Sequence, residues 1–142
     1  MNKEVKKLHE RASQLWKEIA FLRDGRECQV KKFFPNIPIR HSDILQVDHC
    51  ITRANKHLFY EPKNATVVCS TCNMLKSVDS KSVGRAIDEI VKKREGEDEF
   101  KLMVNIDAGR SANKDFNKVW WLEDVIKKLE DIKSSILREG NY

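Results

Sequence analysis

At 142 residues the chain is long enough for one domain that buries roughly two thirds of its unfolded surface, so it needs no staple to fold. A 40% hydrophobic share with 35% charged residues is that of a globular chain, and the absence of any apolar run long enough to span a bilayer argues against a membrane protein. The net charge of +5, from 27 Lys and Arg against 22 Asp and Glu, favours a polyanionic partner without naming one.

The first segment places Val5, Leu8, Ala12, Leu15, Trp16, Ile19 and Leu22 at spacings of three and four, one apolar stripe of a long amphipathic helix over 1–23. Its recurrent charges leave no apolar core for a signal peptide, and the expected location is cytoplasmic. Asp24-Gly25 stops the helix, and 28–43, with Pro35 and Pro38, reads as irregular chain with short strands. Ile44 to Ile51 and Thr66 to Val68 are β-rich, separated by a loop that carries Pro62 and Asn64. STCNMLKS then reads as a short helix with Ser70 or Thr71 near its N-cap.

Farther on, Val83, Ala86, Ile87, Ile90 and Val91 share one face of a helix over 82–94 that Gly96 stops. EGEDE, 95–99, reads as a charged connector. From Lys114 to Arg138, Phe116, Val119, Trp120, Ile126, Leu129, Ile132 and Ile136 mark a long C-terminal helix. The expected class is therefore α+β and mostly helical.

The chemistry concentrates in VDHCITRANKHLFYEPKNATVVCSTCNMLKS, 47–77. An Asp-His pair ends the first strand, an Asn stands five residues before a Cys-x-x-Cys pair, and a second Asn follows its last Cys. Here these are Asp48, His49, Asn64, Cys69, Cys72 and Asn73. In that order they resemble the signature of the HNH (ββα-metal) endonucleases. The resemblance implies a ββα-metal core over 28–78 between an N-terminal helix and C-terminal helices over 80–138, in a single domain over 1–142. It also implies an enzyme, a metal-dependent DNA endonuclease that hydrolyses phosphodiester bonds.

Phosphodiester hydrolysis needs a water activated by a base, charge stabilisation on the phosphate and help for the departing oxygen. His49 suits the general base, because imidazole titrates near neutrality. Asp48 and Asn73 offer hard oxygen ligands for a catalytic Mg2+ or Mn2+ ion, and Asn64 is expected to orient His49 by hydrogen bonds near its ring or backbone. Neighbours on a regular strand point to opposite faces, so the strand is expected to end or bend at Asp48-His49. Arg53 and Lys76 are the expected DNA-phosphate contacts. Taken singly, each residue has a plain structural role available, as core histidine, turn or cap.

HNH proteins commonly staple their core with zinc through two Cys-x-x-Cys pairs. Cys28 stands at the family's first cysteine, but its partner position holds Lys31, whose ammonium has no lone pair to donate. Cys28, Cys69 and Cys72 are thus candidate zinc ligands, with Cys50, His41 or His57 as a fourth, or with the site lost and replaced by packing. In a reducing cytoplasm the pair reads as a metal site rather than a disulfide.

Leu58-Phe59-Tyr60-Glu61, CSTCNMLKS and a C-terminal helix with Trp120 and Trp121 make the chain, from about residue 21 to 138, similar to the phage NinG (Rap) recombination nucleases. Asp48, where those carry Gly, is more like endonuclease VII-type resolvases. Branched or junction DNA is the substrate this likeness implies, in a bacterial or phage-infected cell. Two other readings stand beside the nuclease. One is a non-catalytic, zinc-stapled DNA-binding module; the other uses the end helices as a homodimer platform.

Overall fold

The structure, a computed structural model, describes residues 1–109 and 112–140; positions 110, 111, 141 and 142 of the expected single domain lie outside the described residues. Helix α1 runs Lys3–Asp24, opened by the Asn2 side chain accepting from the Val5 N–H and closed by Gly25 at φ 75°. A five-residue helix, α2, covers Gln29–Phe33. Strand β1, Leu45–His49, pairs antiparallel with β2, Ala65–Cys69, with Asp48 opposite Thr66 and His49 opposite Ala65. Helix α3, Ser70–Val78, leaves β2 directly. A π-helical turn over Ser80–Gly84 leads into α4, Arg85–Glu95, followed by α5, Glu97–Gly109, and α6, Val119–Glu139. The class is α+β and mostly helical, with a two-stranded sheet and long helices at both ends, and no described helix is long and apolar enough to cross a membrane.

Three expectations are corrected. Segment 28–43 holds α2 and no strand, since the Lys32 and Phe34 N–H groups reach back to the Cys28 and Val30 carbonyls. The acidic stretch 95–99 is not a connector but the junction of α4 and α5. Glu97, Asp98 and Glu99 fill the first turn of α5, where the partial positive charge of a helix N-terminus favours carboxylates. Residues 114–118 are not helical: Asn113 accepts from the Asp115 N–H on its side chain and from Phe116 on its carbonyl, forming a turn that delays α6 to Val119.

β2 is buried along its whole length and divides two apolar cores. Ala65 and Val67 pack with Leu15, Trp16 and Ile19 of α1 and Leu122 and Leu129 of α6. Val68 packs with Val83, Ile87 and Val91 on the α4 side, where Cys28, Cys69 and Cys72 also lie. The stripes of α1 and α6 that the sequence displays are thus spent on each other and on β2. At its end α1 is stitched to the sheet: Asp24 accepts from the Val67 N–H at 3.0 Å, and Arg23 donates to the Pro62 carbonyl at 2.8 Å. β1 is half open to solvent at first and buried only at Asp48 and His49.

Candidate functional site

Because β1 stops at His49, its last two side chains meet different elements and still wall one cavity. His49 stacks on the Trp16 ring of α1 at 4.2 Å between centroids and leans on Phe59 at 4.7 Å. Asp48 points the other way, towards Lys76 of α3. The cavity, about 420 Å3, is lined by both together with Gln46, Asn73, Arg53 and Lys17. Of the six sequence-selected residues outside the cysteines, Asp48, His49, Asn73 and Arg53 line one cavity.

His49 is nearly enclosed, 9% exposed, and its Nε2 lies 2.9 Å from the Phe59 carbonyl. A carbonyl only accepts, so Nε2 carries the proton and donates, leaving the lone pair of a neutral ring on Nδ1. Burial pushes the imidazole down to about 4, against the pull of the Phe59 hydrogen bond and with help from the charges of Arg53, Lys76 and Lys56. At neutral pH the ring is a free base with a fixed tautomer.

Asp48 is also buried, and burial raises its carboxyl above the ordinary range while the charge of Lys76 opposes the rise. Its Oδ2 lies 3.0 Å from the Lys76 ammonium, yet has no well-directed hydrogen bond: the contact is an ion pair without the alignment of a donated proton. Lys76, expected to face a DNA phosphate, is instead drawn inward and also donates to the His49 carbonyl. Asn73, on the same helix, donates through Nδ2 to Gln46 at 2.6 Å, two residues before Asp48 on the strand. With this amide orientation the carbonyl oxygen of Asn73 has no hydrogen-bond partner among the described residues. The enclosed Asp48 carboxylate and the Asn73 amide thus stand on the same cavity wall.

Asn64 does not reach the His49 ring. Fully buried, it accepts from the Ile51 N–H at 2.6 Å and donates to the Ile51 and Leu58 carbonyls at 3.0 and 3.3 Å, while its own carbonyl accepts from the Cys50 N–H. It ties the chain just after His49 to the segment just before Phe59, whose carbonyl holds the ring. Its hydrogen bonds reach the backbone on either side of His49 and Phe59, not the ring.

The cysteines meet at the opposite face of β2's end. Cys28 precedes α2, Cys69 closes β2 and caps α3, and Cys72 lies in its first turn. His41 arrives from the segment before β1, its Nδ1 at 3.8, 3.5 and 3.4 Å from the sulfurs of Cys28, Cys69 and Cys72. The Cys28 and Cys72 sulfurs are 3.7 Å apart, and all four ligand atoms lie within 4.8 Å of one another. A tetrahedral zinc with bonds of ~2.3 Å to sulfur and ~2.0 Å to nitrogen would separate its ligands by about 3.5–3.8 Å. These four residues could hold such an ion. Burial works against ionising both thiols of the pair: the Cys72 N–H, His41 and Ser42 bring Cys69 down, while Cys72, buried beside the sulfurs of Cys69 and Cys28, is pushed up. Of the other fourth-ligand candidates, Cys50 is buried and donates to Asp88 instead, and His57 lies outside the group. Lys31 is exposed, and His41 completes the four-residue group.

Comparison with known protein families, curated proteins and solved structures finds no match for this chain.

Sequence reasoning missed Trp16, Phe59, Gln46 and Lys17 as walls of the cavity. Trp16 was visible only as part of an apolar stripe, and nothing local separates a core tryptophan from one that stacks on an imidazole. The Lys76 position carried a usable signal, three residues after Asn73 on one helix and so on the same face.

Proposed function

We propose that this chain is a divalent-metal-dependent DNA endonuclease of the HNH type, with His49 as general base. What carries the reading is the state of His49: neutral, held in one tautomer by the Phe59 carbonyl, and walling the same cavity as Asp48, Asn73 and Arg53. The order of these residues along the chain, with the Cys-x-x-Cys in register, supports it.

In the reaction, Nδ1 of His49 takes a proton from a water whose oxygen forms the new bond to phosphorus. The bond from phosphorus to the bridging sugar oxygen breaks, and that oxygen leaves as an alkoxide to be protonated by solvent. Arg53 and Lys17, exposed at the cavity, hold the phosphate oxygens and give affinity without base preference. Trp16 and Phe59 keep the imidazole in place. Asp48 and Asn73 would hold the Mg2+ or Mn2+ ion, which supplies Lewis-acid stabilisation of the phosphate and the leaving oxygen. Cys28, His41, Cys69 and Cys72 would hold a structural zinc, which would tie together the end of β2 and the start of α3 beside Asn73. Branched DNA is the substrate the narrower resemblance suggests.

The test is a cleavage panel of plasmid, linear duplex, single strand and four-way junction with Mg2+ or Mn2+. His49→Ala should lower cleavage by about 10^2-fold or more, the scale of a lost general base, while leaving DNA binding intact. Binding without cleavage by the wild-type protein under every metal would instead establish the non-catalytic module, which the inward pairing of Lys76 with Asp48 favours.

A further inference from the structure

Lys76 is drawn away from solvent to stand beside the one buried carboxylate of the cavity. Its ammonium lies 3.0 Å from Asp48 Oδ2 but is not aligned as a donor to it, and it donates to the His49 carbonyl instead. Asp48 is thus neutralised by a point charge, as a cation would neutralise it. The π-helical turn passes so close to the Lys76 backbone that a Cβ on Gly84 would fall 2.7 Å from the Lys76 carbonyl oxygen. The side chain keeps 23% exposure, and its flexible stem can swing out while the helix stays in place.

We infer that Lys76 is a tethered competitor for the divalent ion: its ammonium fills the cation position at Asp48 and withdraws when the metal binds. The inference rests on the reading of Asp48 and Asn73 as the divalent-ion ligands. Two cations cannot share the one enclosed carboxylate without strong mutual repulsion, so Lys76 raises the metal concentration the site needs. Once displaced, the ammonium is released towards the cavity, where the proposed function puts a phosphate. The metal would thereby free a cation for DNA at the moment the site becomes competent.

The experiment measures Mn2+ binding to the zinc-loaded full-length protein by the electron paramagnetic resonance of free Mn2+, at pH 8, where protons compete least for Asp48. Lys76→Met should bind Mn2+ about tenfold more tightly than wild type, the effect of removing one partly buried ion pair. Lys76→Arg, which keeps the charge, should stay near wild type, and adding Asp48→Asn to Lys76→Met should abolish the gain. Lys76→Gln serves if the methionine variant does not fold. Unchanged or weaker Mn2+ binding in the neutral variants, with zinc content and melting preserved, would overturn the inference. If wild type still shows Asp48-dependent binding in that case, the metal-site reading survives; if no variant binds Mn2+, both fall.

Discussion

His49 owes its chemistry to being the last residue of a strand that ends against aromatic rings. Its depressed pKa has a consequence for stability. The folded group titrates near 4 against an ordinary 6.5, so between those values the unfolded chain binds the extra proton. Stability is therefore greatest above pH 6.5, falls as pH drops towards 4, and levels off below that. The contribution is ~2 kcal/mol once solvent screening is allowed for. Urea unfolding of wild type and His49→Gln from pH 7.5 to 4.5 should show a steeper acid loss in wild type; parallel curves would contradict the buried neutral ring. Asn64 is the other residue whose worth is structural. Asn64→Ala leaves Ile51 and Leu58 backbone groups unpaired in the interior and should cost about 2–4 kcal/mol, measured by the same unfolding, with His49 losing its depressed pKa by NMR titration.

Among the elements, β2 and α3 matter most, because they carry two of the candidate metal ligands and Asn73 within five consecutive positions. Their arrangement was legible in the sequence: strand, Cys-x-x-Cys and Asn form a local pattern, and the strand's end at Asp48-His49 follows from the need to show both side chains. α1, α4 and most of α6 were legible from their stripes. What escaped is what local pattern does not encode. α5 was hidden because an acidic run reads as a connector unless one knows a helix begins there, and α2 is too short to show periodicity. The fourth cysteine-site ligand was open because His41 joins Cys28, Cys69 and Cys72 only through the tertiary fold. His41→Ala should reduce bound zinc below one per chain and lower the unfolding midpoint, whereas Lys31→Ala should change neither; elemental analysis of the purified proteins decides it.

At the scale of the molecule, two cores share one strand, and α1 with α6 clamps the sheet from the side away from the metal ligands. The net positive charge is not spread to one purpose. Arg53 and Lys17 stand at the cavity, while Lys128 pairs with Asp124 on the exposed face of α6. DNA binding should accordingly weaken with salt, and Arg53→Ala or Lys17→Ala should each reduce the slope of log affinity against log salt by about one. Lys128→Ala should leave it unchanged in the same fluorescence-anisotropy titration.

The stacking of Trp16 on His49 also gives the protein an optical gauge. Trp16 is 2% exposed, so its emission should be blue-shifted, and an imidazolium in face contact quenches an indole where a neutral ring does not. With Trp120 and Trp121 replaced by Phe, the remaining fluorescence reads the protonation of the His49 ring directly. Light from one indole thus follows, in real time, whether the ring can still take a proton.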